Sequence, residues 1–234
     1  MAQQQRRFNP RLDKCYMCNS AATSKEHAPP ESFFPRNYQG KRLVIVPSCN
    51  DHNHANAQDV EYVRNIFAIQ YGTNSAAAEV AETVKRSWDH SEKLFNQTFR
   101  EFGVAQVTSS DGSEETGVFR IDVARVERVI TAIAHALFFL EKRQQWFGSF
   151  EVFCGFHSER SLQSLSDGTE ARGEWFASRS YVQRATPYPD VFEYGIHEND
   201  ELVFAMHFYA RLWIYARRTG RVLAPPRLVL IGAG

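Results

Sequence analysis

No stretch of this 234-residue chain stays apolar long enough to cross a membrane, since a spanning helix needs roughly 20 such residues; no membrane partner is expected. There is no surplus of charge either. Lys and Arg number 27 and Asp and Glu number 27, which excludes a chain that coats nucleic acid through overall basicity. Cysteine is scarce: Cys15, Cys18, Cys49 and Cys154 are all there is. Three of them crowd the N-terminal part, and residues 1–10 carry no apolar segment of a secretion signal. The expectation is a cytoplasmic protein whose cysteines hold metal rather than form disulfides. A Walker loop, a Rossmann fingerprint and a Gly-x-Ser-x-Gly elbow are missing, so the chemistries they serve have no support. Internal repeats and low-complexity tracts are absent too, and a 43% hydrophobic, 13% aromatic composition excludes a mainly disordered chain.

The zero net charge is a sum of unequal parts. Residues 1–42 hold 8 basic and 3 acidic side chains, a net +5. Residues 205–234 hold 5 arginines and no acid, again +5, which leaves −10 for the middle. Phosphate contact is a local matter, so a basic end can bind nucleic acid within a neutral chain.

The pattern along the chain predicts a mixed α+β fold. Residues 43–46 are short, β-branched and bounded by Gly40 and Pro47, which reads as a strand. Helical spacing begins near Asn56, breaks at Gly72 and Asn74, and resumes as one long amphipathic helix over residues 76–102. Two short strands, 104–108 and 118–121, are expected around a polar loop at 109–117, with Asp111-Gly112 as the turn signal. Residues 122–147 form the most apolar helix. Strands follow at 150–156, 191–197, 202–209, 212–217 and 227–231, with a loop over 157–173. Cys154 reads as a core thiol and His135 as a core or interface histidine. The aromatic C-terminal strands read as core rather than as a base-stacking platform.

The chemistry concentrates in two pairs. Cys15-x-x-Cys18 and Cys49-x-x-His52 each carry two ligands with two residues between them. That spacing lets one tight knuckle aim both side chains at one ion, and two knuckles complete a closed tetrahedral zinc site. His54 is the alternative fourth ligand; His52 is favoured because it repeats the spacing. Between the knuckles lies Glu26-His27-Ala28-Pro29-Pro30, and His52 is followed by Asn53.

Taken in order, residues 15–65 resemble the HNH, or ββα-metal, endonucleases, in the zinc-knuckle variant with a Glu-His-x-Pro-Pro motif. The resemblance implies a zinc-clamped ββα-metal nuclease module over residues 1–75. A helical and antiparallel-β domain of unreadable role would occupy residues 76–234. It implies metal-dependent hydrolysis of nucleic-acid phosphodiester bonds, with DNA the expected substrate. His27 would be the general base, with Glu26 and Asn53 holding a catalytic Mg2+ or Mn2+. Zinc on Cys15, Cys18, Cys49 and His52 would be structural. Arg36, Lys41, Arg42 and Arg64 would meet phosphates; His54, Asp59 and Glu61 are further ligand candidates. A homodimer would turn two nicks into a double-strand break, and phage defence is a context such a nuclease suits. One departure stands out: the family's middle Asn, which orients the His, has no counterpart in residues 40–44, and Asn37 is early. That gap leaves the alternative of a catalytically inactive, zinc-stabilised module that binds nucleic acid or protein.

Overall fold

The computed structural model describes residues 14–38, 43–70, 74–109, 112–154, 169–199 and 201–220. The fold is mixed α+β with antiparallel sheets. Strand β1 (Ser24–His27) pairs with β2 (Ile45–Ser48), so that Glu26 faces Val46 and His27 faces Ile45 across the ladder. A 3-10 turn at Glu31–Phe33 lies between them. Strand β2 starts two residues later than the apolar run suggests and takes in Pro47. The missing Pro47 N–H is tolerated because, among the described residues, the sheet has only two strands. Helix α1 (Asn50–His54) follows directly, then α2 (Ala57–Gln70).

The long helix expected over residues 76–102 is two helices, α3 (Ser75–Asp89) and α4 (Glu92–Thr98). Asn74 caps α3 by accepting from the Ala77 N–H at 2.7 Å, and Ser91 caps α4 by accepting from Leu94. Serine competes with a continuing helix by offering this cap. The break folds Trp88 against Phe95 and Phe99, with ring centroids 5.7 and 4.8 Å apart.

Strands β3 (Arg100–Ser109) and β4 (Gly112–Arg120) form a hairpin. Most of the expected polar loop is therefore strand. Its Gly-Ser-Glu-Glu-Thr-Gly run has no apolar alternation to mark it, and the ladder is made by backbone groups, which are blind to side-chain type. Helix α5 (Val123–Lys142) begins at its cap Asp122 and ends where Arg143 turns left-handed at φ 56°.

The remaining elements are β5 (Ser149–Cys154), α6 (Thr169–Ala177), β6 (Val182–Arg184), β7 (Phe192–His197), β8 (Val203–Phe208) and β9 (Leu212–Thr219). Residues 169–173 are thus helical rather than loop, and β6 was not foreseen. The strand expected at 227–231 lies outside the described residues. The five strands form one antiparallel sheet in the order β5-β9-β8-β7-β6. On the outer side, Phe176 of α6 stacks on Tyr215 at 5.2 Å and on Phe153 at 5.5 Å.

The inner side of the sheet meets α5 and α2 in one hydrophobic core. Phe33, Phe67 and Phe208 meet at its centre, with ring centroids 5.1–6.0 Å apart. Residues from either side of position 75 share this core, as the 2.7 Å bond from the buried Tyr209 hydroxyl to the Phe33 carbonyl also shows.

Candidate functional site

The two knuckles converge. An antiparallel bridge between Lys14 and Ala21 closes the first, and the Tyr16 N–H donates to the Pro47 carbonyl at 2.8 Å, tying it to β2. Cys49 sits at the N-cap of α1, so the residue three positions on turns back toward it. That residue is His52, and His54 is not part of the cluster. The ligand atoms of Cys15, Cys18, Cys49 and His52 all lie within 4.8 Å of one another. Cys18 Sγ is 3.8 Å from Cys49 Sγ. His52 Nδ1 is 3.1 Å from Cys49 Sγ and 3.6 Å from Cys15 Sγ.

These spacings fit an ion. Tetrahedral zinc, with bonds of about 2.3 Å to sulfur and about 2.0 Å to nitrogen, separates two sulfurs by about 3.8 Å and a sulfur from a nitrogen by about 3.5 Å. A disulfide would need about 2.0 Å, and all four cysteines are free. Three cysteines and a histidine close enough to hold one metal ion form a donor set suited to zinc. Burial raises the Cys15 thiol. In Cys18 burial also works upward, but hydrogen bonds from the Ser20 side chain and backbone prevail and hold it low. Cys154 lies elsewhere, packed on the main core, where burial pushes its thiol up to about 12.

Beside the cluster lies a cavity of about 220 Å³. Glu26 and His27 line it from the end of β1, Asn53 from α1, and Asn56 from the turn into α2. Tyr16 of the first knuckle and Ala132 of α5 close it. The Asn53 N–H donates to the Cys49 carbonyl at 3.0 Å, so the second knuckle fixes Asn53 at the close of the first turn of α1. Glu26 Oε2 is enclosed and has no hydrogen-bond partner among the described residues. Burial pushes the Glu26 carboxyl up to about 7. A buried carboxylate oxygen without a donor is costly unless a cation or proton meets it. Burial lowers His27, outweighing the upward pull of Glu31, whose carboxylate is 4.0 Å from Nδ1; Lys25 adds to the lowering. The imidazole is therefore neutral near pH 7.

No family model, curated protein or solved structure matches this chain. The chemistry must be argued from the side chains themselves.

The other nominated residues fall elsewhere. Arg36 and Arg64 line a separate cavity of about 240 Å³ with Ser32 and Glu79. Arg64 is half-buried, and its Nη2 donates to Asn65 at 2.8 Å. Lys41 and Arg42 lie outside the described residues, as does most of the stretch where a middle Asn would be sought. Asn37 is exposed. Asp59 is committed to protein: Arg125 Nε and Arg128 Nε each donate to it at 2.7 Å. Burial pushes Asp59 up, but those two arginines outweigh it and hold the carboxyl below its ordinary range. His135 is the core histidine expected, with burial holding it at about 4.

The Asp59 clamp ties α2 to α5. Asp59→Asn is expected to cost about 1.5–3 kcal/mol, the range for hydrogen bonds to a charged group. Because the folded pKa is lowered, this stabilisation is present above the ordinary carboxylate value and fades as pH falls through the lower folded one. Urea melts should show the gap between wild type and variant near neutrality, and its closure in acid.

The sequence reading missed Tyr16, Asn56 and the α5 wall. Asn56 follows Asn53 at helical i, i+3 spacing, a signal that was there to read. The α5 wall gives none, since some 100 residues separate it from His27.

Proposed function

We propose that this chain is a metal-dependent phosphodiester hydrolase of the HNH type acting on nucleic acid, with DNA the expected substrate. One observation carries the reading: Glu26, His27 and Asn53 line the same cavity next to a metal-binding cluster. The order of β1, β2 and α1 around that cluster also supports it.

His27 is the general base. Its neutral imidazole accepts a proton from the attacking water. Glu26 and Asn53 offer the oxygen donors that Mg2+ or Mn2+ prefers, and the unpartnered Glu26 Oε2 supports the fit. Such an ion, when bound, stabilises the charge that develops on the phosphate and the leaving oxygen. Zinc on the four-residue cluster is structural, since its ligand set leaves no open position. Arg36 and Arg64, with Lys41 and Arg42, supply positive charge for the flanking phosphates.

The alternative, a zinc-stabilised binding module without catalysis, draws on the missing Asn in residues 40–44. Cation dependence separates the two. Glu26→Gln keeps size and removes the charge. It is expected to raise the Mg2+ or Mn2+ concentration for half-maximal cleavage at least tenfold while zinc content stays at one per chain. A binding module shows no metal-stimulated cleavage in either form.

A further inference from the structure

The first knuckle is held from a distant part of the chain. Nε2 of Gln145 donates to the Cys15 carbonyl at 2.7 Å and to the Cys18 carbonyl at 2.6 Å. One amide group carries two N–H donors, and here both go to the two ligand residues of the same knuckle. We infer that Gln145 is a positioning residue for the metal site, through which the second half of the chain sets the metal affinity of the first knuckle. The inference rests on the cluster of Cys15, Cys18, Cys49 and His52, and does not depend on the phosphodiesterase reading.

Three features support a role beyond packing. First, Gln145 is fixed before it acts. Helix α5 stops at the left-handed Arg143, and Trp146 is 2% exposed, with its ring near Phe138 and its Nε1 donating to the Ser149 carbonyl. Gly148 allows this, since a Cβ there would lie 2.4 Å from the Trp146 ring. Second, the contact joins a chain of bonds. The peptide between Cys15 and Tyr16 has its carbonyl on Gln145 and its N–H on Pro47, two residues before Cys49. Gln145 therefore pins both knuckles relative to each other, and hydrogen bonds in such a chain reinforce one another. Third, the bonds fall on the backbone of the ligands themselves. The Met17 N–H points at Cys15 Sγ at 3.5 Å, and a loosened knuckle would lose that aim.

Groups that orient metal ligands typically change metal affinity by about 10–100-fold when removed. The test is competition of the full-length, zinc-loaded protein with a chromophoric zinc chelator. Gln145→Glu is the sharp variant: it keeps the shape, but an ionised carboxylate only accepts and would face two carbonyl oxygens. Gln145→Ala removes the group, and Gln144→Ala, on an exposed neighbour, is the control. Both Gln145 variants are expected to lose zinc affinity by about 10–100-fold, with Gln144→Ala unchanged. The cobalt-loaded Gln145→Glu protein should also show a shifted absorption spectrum. Wild-type zinc affinity in both Gln145 variants overturns the inference. So does a melting temperature lowered equally with and without zinc, which would mean packing alone. A wild-type chain that takes up no zinc overturns it together with the cluster.

Discussion

His27→Ala is expected to slow phosphodiester cleavage by about 10²–10⁴-fold, the contribution of a positioned general base. The reasoning begins with where His27 sits. It ends β1, lines the cavity with Glu26 and Asn53, and leaves its side chain 28% exposed. Water can therefore reach it, while partial burial keeps the ring neutral. Alanine there opens no hole in any of the three hydrophobic core clusters, since His27 belongs to none of them. Stability should change by no more than about 1 kcal/mol, the centre of the range for single substitutions. Zinc content and nucleic-acid affinity should hold as well. Initial rates on a labelled oligonucleotide, beside a melting curve for each protein, make the comparison. Equal rates in the two proteins would remove His27 from the mechanism. A parallel fall in melting temperature would make the loss structural.

Removing the metal should have the largest effect on stability. Cys49 is 5% exposed and stands between β2 and α1. Cys49→Ser replaces a thiolate with a poor zinc ligand and leaves three donors where a closed site needs four. The expected cost exceeds about 4 kcal/mol, the scale reached when a structural metal is lost. Zinc per chain should fall from one to near zero. The main core around Phe33, Phe67 and Phe208 has its own packing, so the loss should centre on the small cluster of Cys15, Tyr16, Val46 and Cys49. Hydrogen exchange should then show β1, β2 and α1 opening while β7 and β8 stay protected. Asn53 is anchored through the Cys49 carbonyl, so cleavage should vanish with the zinc. A Cys49→Ser protein that melts like wild type would show that the cluster holds no structural ion.

What could be read from the sequence was local. The two-residue spacing of Cys15 with Cys18 and of Cys49 with His52 encodes the knuckles directly. It also favours His52 over His54, because Cys49 caps α1 and an i, i+3 partner returns to it. Helix α5 was legible because a continuous apolar face marks it. Three things were not. Ser91 splits the helix after Asp89 through one capping bond, which hydrophobic spacing does not register. Strand β4 is polar, so its pairing leaves no period in the sequence. The cavity's far wall and the Gln145 latch come from contacts over more than 100 residues, which no motif spells out. Arg64 and Arg36 line one cavity, a pairing that their 28-residue separation in sequence does not announce.

The most direct measurement is the hydrolysis of single- and double-stranded DNA and RNA oligonucleotides by the zinc-loaded, full-length protein, with and without added Mg2+ or Mn2+. Cleavage that requires the added cation and leaves the zinc in place is the expected result. No cleavage of any of these substrates with either cation, or equal cleavage without one, would contradict a hydrolytic site at Glu26, His27 and Asn53.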